Sequence, residues 1–254
     1  MSVLDLFSLK GKNALVTGSS QGLGAGMALA FAQAGANVAL HGRNHVSKST
    51  VEQIEKTGAR SVTVIGDVSD PAVSTRIVDE TVNAFGSIDV LVNNAGTIRR
   101  APAAEHSHEF WTTVIDTNLN SVFYLCQYAG TKMLAQGSGK IINIASMLTF
   151  QGGILVPSYA AAKGAVGQLT KALANEWASK GVNVNAIAPG YMETANTAPL
   201  RADPERSKAI LSRIPAERWG LPADLAGAAI FLASAASNYV HGHILVVDGG
   251  WLCR

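Results

Sequence analysis

Seven short runs of aliphatic and β-branched residues, at 13–17, 37–41, 61–65, 88–92, 140–144, 182–187 and 244–247, alternate with longer stretches of helical patterning. Nothing else in the chain restricts its fold as strongly. Runs that are apolar at nearly every position suit strands covered on both faces. A helix between consecutive strands is what a parallel sheet needs to return the chain to the same end. The pattern therefore predicts an α/β fold, a doubly wound parallel seven-stranded sheet with helices on both faces. Helix punctuation agrees: Gly35 and Gly86 follow helical runs where a left-handed residue ends a helix, and Ser69-Asp70-Pro71 offers an N-cap with an early proline. No repeat, low-complexity tract or linker divides residues 1–254, and the length allows one large domain or two small ones. Between Pro189 and Pro222 the rhythm breaks for longer than an ordinary connection, and residues 190–221 read as a substrate lid.

The first strand runs directly into Thr17-Gly18-Ser19-Ser20-Gln21-Gly22-Leu23-Gly24 and then into an alanine-rich helix. Glycines there let a backbone approach a pyrophosphate, and the helix N-terminus adds unpaired N–H groups and positive dipole. At the start of a βαβ chain, Gly18, Ser20, Gln21, Gly22, Leu23 and Gly24 read as a nucleotide cradle, spaced G-x-x-x-G-x-G instead of G-x-G-x-x-G. An acid that would accept from an adenine ribose 2′-hydroxyl is missing after the second strand, which ends His41-Gly42-Arg43-Asn44. Gly42 stands where an acid would repel a 2′-phosphate, and Arg43, with Asn44 beside it, can stack on adenine or grip that phosphate. The expected cofactor is NAD(P), with NADP favoured over NAD. Asp67 and Val68 follow the third strand near the expected adenine amino group, and Asn94, Ala95 and Gly96 close the ribose side after the fourth.

Tyr159 and Lys163 stand four residues apart, on one face of a helix. A free tyrosine has a pKa of about 10, too high for ready proton exchange near neutrality, and a neighbouring ammonium lowers it. Ser146 follows a strand end, so its hydroxyl can reach a substrate carbonyl at the carboxyl edge of the sheet. Asn118 interrupts a long helical pattern as a poor helix former, and a water held there can feed protons to Lys163.

Composition narrows the partners. Only 15% of residues are charged, against about 25% in ordinary domains, and 20 Lys+Arg against 18 Asp+Glu leave a net charge of +2. No block of like charge suggests nucleic acid or an acidic membrane, so a small molecule is expected. Cys126 and Cys253 have no metal-ligand spacing and read as reduced thiols, and no metal is expected. Residues 1–12 are too broken for a signal-peptide core, and apolar runs stop short of the roughly 18 to 20 residues of a spanning helix. A cytoplasmic protein is expected.

The TGxxxGxG loop, NNAG at 93–96, Asn118, Ser146 and YxxxK at 159–163 together resemble the short-chain dehydrogenase/reductase family, over essentially the whole chain. The resemblance implies a single Rossmann-type domain, a homotetramer, and a catalytic tetrad of Asn118, Ser146, Tyr159 and Lys163, the last two also touching the cofactor. Pro189-Gly190-Tyr191-Met192-Glu193-Thr194 is similar to the family's segment for the nicotinamide carboxamide, which assigns Pro189, Gly190, Met192 and Thr194 to the cofactor. Segments 93–100 (NNAGTIRR), 141–153 (IINIASMLTFQGG), 183–192 (NVNAIAPGYM), 200–203 (LRAD), 213–221 (RIPAERWGL) and 248–252 (DGGWL) resemble one branch, bacterial dehydrogenases of 2-dehydro-3-deoxy-D-gluconate and 2-deoxy-D-gluconate. That implies hydride transfer between NAD(P) and a secondary alcohol or ketone of a sugar acid, gluconate included. A carboxylate in a closed cleft needs a cation, for which the candidates are Arg99, ranked first, its neighbour Arg100, and Arg206 of the lid. Ser146 and Tyr159 complete the substrate contacts. Two alternatives remain: a 3-oxoacyl carrier-protein reductase sharing these motifs, and an NAD(P)-sensing binding protein without chemistry.

Overall fold

The computed structural model describes residues 2–254, and Met1 of the expected 1–254 unit lies outside the described residues. Each apolar run forms a strand: β1 (Asn13–Val16), β2 (Asn37–Gly42), β3 (Ser61–Ile65), β4 (Val90–Asn93), β5 (Gly139–Ile144), β6 (Val182–Pro189) and β7 (Ile244–Val247). All pairs are parallel, in the order β3-β2-β1-β4-β5-β6-β7. The helices are α1 (Gly22–Gln33), α2 (Lys48–Glu55), α3 (Pro71–Phe85), α4 (His108–Ile115), α5 (Ser121–Gln136), α6 (Pro157–Trp177), α7 (Ala198–Ala202), α8 (Pro204–Leu211) and α9 (Ala226–Ala233). The expected punctuation is in place: Asp70 caps α3 by accepting from the Ala72 N–H, and Gly86 ends it at φ +91°.

The two-residue period of the strands divides the core. Ala14 and Val16 of β1 pack with Met27 and Phe31 of α1 and Ala229 of α9. Leu15 between them joins the opposite layer, with Ile77 of α3, Leu125 of α5 and Val166 of α6. Because both faces are covered, the central strands carry apolar residues at successive positions, and each fully buried large side chain contributes roughly 1.5–3 kcal/mol. β1 bonds both β2 and β4, so the chain's connections leave it in opposite directions and open a crevice at its carboxyl end. The glycine loop and the NNAG turn meet there.

The interruption after β6 holds α7 and α8. Its two ends are pinned together: Met192 bridges to Gly220, the Glu193 N–H donates to the Gly220 carbonyl at 2.7 Å, and the Gly220 N–H donates to the Tyr191 carbonyl at 2.9 Å. Ile210, Ile214 and Trp219 of this segment pack on Met147 and Trp251 in a small cluster of their own, separate from the layers flanking the sheet. No helix among the described residues is long and apolar enough to cross a membrane.

Candidate active site

Side-chain and backbone bonds stiffen the glycine loop from below. The Gly18 N–H donates to His41 Nδ1 at 3.0 Å, which leaves the proton on Nε2 to donate to the Gly66 carbonyl at 2.9 Å. Burial holds the His41 ring below its ordinary pKa, with the Gly66 bond and the Asp67 charge opposing, so a neutral imidazole supports the turn. Thr17 Oγ1 accepts from the Asn94 and Ala95 N–H groups at 2.9 and 3.0 Å, and the Asn94 amide donates back to the Thr17 carbonyl at 2.8 Å. Gly24 has no room for a side chain: a Cβ there would collide with the Gly18 carbonyl and stand 2.5 Å from Asn94 Nδ2. The N-cap of α1, Gln21, makes no side-chain cap bond, so no side chain caps the first-turn N–H groups at the groove. The chemistry of this cradle suits a dinucleotide phosphate.

The groove has a volume of about 300 Å³ and is lined by Gly18, Gln21, Gly22, Leu23, Asn94, Ala95, Gly96, Ser146, Tyr159, Lys163, Pro189, Gly190, Met192 and Thr194 among others. Ser20, Arg43, Asn44, Asp67 and Val68 lie outside that lining. The Ser20 hydroxyl accepts from the Ser47 N–H at 3.0 Å, and Val68 is buried. Arg43 Nε pairs with Asp67 Oδ2 at 2.9 Å, which leaves the terminal guanidinium nitrogens unengaged in that pair. Asp67 also accepts from the Ser69 N–H and hydroxyl. Burial pushes its carboxyl up, but these bonds and the Arg43 charge outweigh burial and hold it low. Gly42 differs from its sequence reading. A Cβ there would run into the His45 carbonyl, so the glycine is a backbone requirement of the turn and its lack of an acid is not by itself a cofactor signal.

Asn118 sits in a π turn, Asp116–Asn120, which is the distortion its sequence position implied. Its amide is engaged at both ends with Thr97, donating to the carbonyl and accepting from the N–H, each at 2.8 Å. Ser146 Oγ accepts from the Leu148 N–H at 3.1 Å, which leaves the hydroxyl proton free to donate. Lys163 is buried in α6 and donates to the Ile144 carbonyl, with Nζ 5.7 Å from the Tyr159 ring centroid. Burial lowers the Lys163 pKa to about 8. Burial also pushes the Tyr159 phenol up, while the Ser146 hydroxyl and the Arg100 charge pull it down. The sequence reading gave that lowering to Lys163. In the fold its ammonium also donates to a carbonyl, and Ser146 and Arg100 are further groups that pull the phenol down.

A second cavity, of about 590 Å³, is lined in part by the segment after β6 and shares Ser146 and Tyr159 with the groove. Arg206 lines this cavity, but Arg99 does not. Arg99 Nη1 donates to Thr97 Oγ1 and the Ile98 carbonyl at 3.1 and 3.2 Å, and its guanidinium lies 5.9 Å from the centroid of Phe110. Its neighbour Arg100 lines the cavity instead, with Nη2 donating to the Asn196 carbonyl at 3.2 Å. The sequence also gave no notice of His41, Arg213 or Trp251. Only the branch-like segments 213–221 and 248–252 marked the last two. No cluster of His, Cys, Asp or Glu among the described residues could hold a metal ion.

The family described as enoyl-(acyl carrier protein) reductase matches residues 18–252. The chain is 54% identical to a 2-dehydro-3-deoxy-D-gluconate 5-dehydrogenase of Dickeya dadantii over 254 residues, covering 99% of this chain and 100% of that one. It is 43% identical to a gluconate 5-dehydrogenase of Gluconobacter oxydans, with 98% of each covered. Among solved structures, a gluconate 5-dehydrogenase from Burkholderia cenocepacia in complex with NADP and tartrate superposes with a TM-score of 0.95 at 40% identity, covering 100% of both chains.

Proposed function

The chain belongs to the short-chain dehydrogenase/reductase family, and on that premise we propose that it oxidises and reduces a hexonate-type sugar acid at a secondary alcohol or ketone with NADP. The observation that carries this reading is the meeting of groove and cavity at Ser146 and Tyr159. A group held against both faces two hydroxyls on one side and the cofactor groove on the other. When bound, the nicotinamide ring gives or takes the hydride. In reduction the free Ser146 proton orients the substrate ketone, and the Tyr159 hydroxyl donates its proton to the forming alkoxide. Lys163, whose pKa near 8 keeps it mainly charged at neutrality, holds the nicotinamide ribose and returns the proton. Asn118 fixes the Thr97 segment and, alongside those bonds, holds the relay water. Oxidation runs these steps backwards.

The glycine turn and NNAG turn hold the pyrophosphate and ribose, and Arg43 with Asn44 meets the adenosine 2′-phosphate, with Asp67 and Val68 at the adenine. NADP in the Burkholderia relative supports that cofactor. The names of the Dickeya and Gluconobacter relatives support a sugar acid, and the arginines of the cavity supply its cation. Residues 190–221 act as a lid on one 1–254 domain, and family likeness supports a cytoplasmic homotetramer, which light scattering would check.

The test is a panel of hexonates, keto-deoxy acids and acyl thioesters, each with NADP and NAD. Sugar acids with NADP are expected to give the highest kcat/KM. Turnover of acyl thioesters alone would make it a carrier-protein reductase, and no consumption of either cofactor would make it a sensor.

A further inference from the structure

The cavity lining contains three arginines, Arg100, Arg206 and Arg213, and neither Asp nor Glu. Among the described residues none of the three is in an ion pair, although six other basic side chains are. They differ in how firmly they are held. Arg100 is engaged with the Asn196 carbonyl. Arg206 stands exposed on α8 with no hydrogen bond to its guanidinium among the described residues. Arg213 lies over the indole of Trp251, its Cζ 4.0 Å from the ring centroid. That stacking fixes the guanidinium plane while leaving its N–H edges without an acceptor.

The indole beneath is itself immobilised. Trp251 is 4% exposed, packs with Met147, Ile210 and Trp219, and stands 4.8 Å from the Tyr191 ring. Its Nε1–H is buried with no acceptor among the described residues, an arrangement native folds seldom leave uncompensated. One wall of the cavity thus carries an exposed guanidinium held flat on an indole, with the buried indole N–H beneath it left without an acceptor. A carboxylate, with two oxygens and four lone-pair directions, satisfies both.

We propose that Arg213 and Trp251 form the subsite that anchors the substrate carboxylate. This rests on the sugar-acid reading above and names the residues that give it its specificity.

The test compares kcat/KM for the best sugar acid of the panel with that for the alditol made by reducing its carboxylate. In Arg213→Met, which keeps the stacked stem without the charge, the acid is expected to lose about 10- to 100-fold relative to the alditol, chiefly in KM. The KM for NADP should stay at the parental value. Trp251→Phe keeps a ring and removes the N–H, and should lose a smaller part of the same ratio. Should the Met variant fail to fold, Arg213→Lys is read for the same ratio. Added guanidinium should restore acid turnover in Arg213→Ala, which a merely structural role would not allow. A parental ratio in the folded Arg213 variants, or the whole loss appearing in Arg100→Met or Arg206→Met instead, overturns the proposal while the sugar-acid reading stands. No preference for acid over alditol in the unmutated enzyme overturns that reading itself.

Discussion

Replacing Lys163 with Met should make the unliganded protein more stable near neutrality and flatten its response to mild alkali. In the native state burial holds the Lys163 ammonium at a pKa of about 8, against an ordinary 10.5 in the unfolded chain. Keeping the charge inside the fold therefore costs about 3 kcal/mol below pH 8, where both states are protonated. Above pH 10.5 neither state is, and the penalty is gone. Between these limits the unfolded chain binds more protons than the native one, so stability rises with pH. Evaluating the two titrations at pH 8 and pH 9 gives a rise of about 1 kcal/mol for this group alone. Lys140, also lowered to about 8 by burial and the nearby Lys12, adds to the rise, and Cys126, raised to about 12 by burial, begins to oppose it above 9. Both are present in parent and variant, so the difference between the two proteins isolates Lys163. The assay is thermal unfolding of both at about pH 8 and 9, at equal protein concentration because an oligomer's midpoint depends on it. A change of about 1 kcal/mol corresponds to roughly 2–4 °C for a chain of this size. The parent should gain that much more than Lys163→Met across the interval. Parallel shifts in the two proteins would mean that Lys163 is not a desolvated ammonium, and its ribose and proton roles would lose their physical basis.

Tyr159→Phe should abolish turnover while leaving NADP binding within a few fold, and retention of more than about a hundredth of parental activity would remove Tyr159 from the proton transfer. Arg43→Ala should weaken NADPH more than NADH. The contact is charge-assisted, but the side chain is 74% exposed, so about 1 kcal/mol is expected instead of the upper range, and equal losses for both cofactors would indicate adenine stacking alone. Gly24→Ala should raise the KM for either cofactor at least tenfold, because the added methyl meets the Gly18 carbonyl, and parental binding would show that the loop yields. Arg100→Met should move the acidic limb of the oxidation rate to higher pH, since the positive charge that pulls the Tyr159 phenol down is gone. An unmoved limb would leave Ser146 as the only group tuning it.

The sheet was legible because its strands are buried on both faces, so each announces itself as an unbroken apolar run. Strand ends were less so: β6 continues through Ala188 and Pro189 because their partners on β7, Val246 and Val247, extend the ladder past the residues that read as strongly β-forming. The meeting of Ser146, Tyr159 and Lys163 at one groove was legible from their spacing. What a residue's backbone must do was not. Gly42 read as a missing acid, yet the His45 carbonyl beside it forbids any side chain, a constraint set by a turn whose path no local pattern announces. Arg99 and Arg100 are adjacent and identical in type, and which one enters the cavity depends on Phe110 of α4 and Asn196 of the segment after β6, residues 10 or more positions away in sequence. His41 could not be distinguished from an ordinary strand histidine until Gly18 and Gly66 were seen on its two nitrogens.

Burial acts in opposite directions on the two titrating members of the tetrad, raising the Tyr159 phenol and lowering the Lys163 ammonium. Burial leaves the Lys163 ammonium mainly charged near neutrality but works against a tyrosinate at Tyr159. The groups that oppose this rise come from elsewhere in the chain: Ser146 from the end of β5, and Arg100 from the loop after β4. Arg100 is steered to the cavity by the Asn196 carbonyl of the lid segment. Any shift of that segment therefore moves a charge that acts on the Tyr159 phenol, which ties the position of residues 190–221 to that group's hold on its proton.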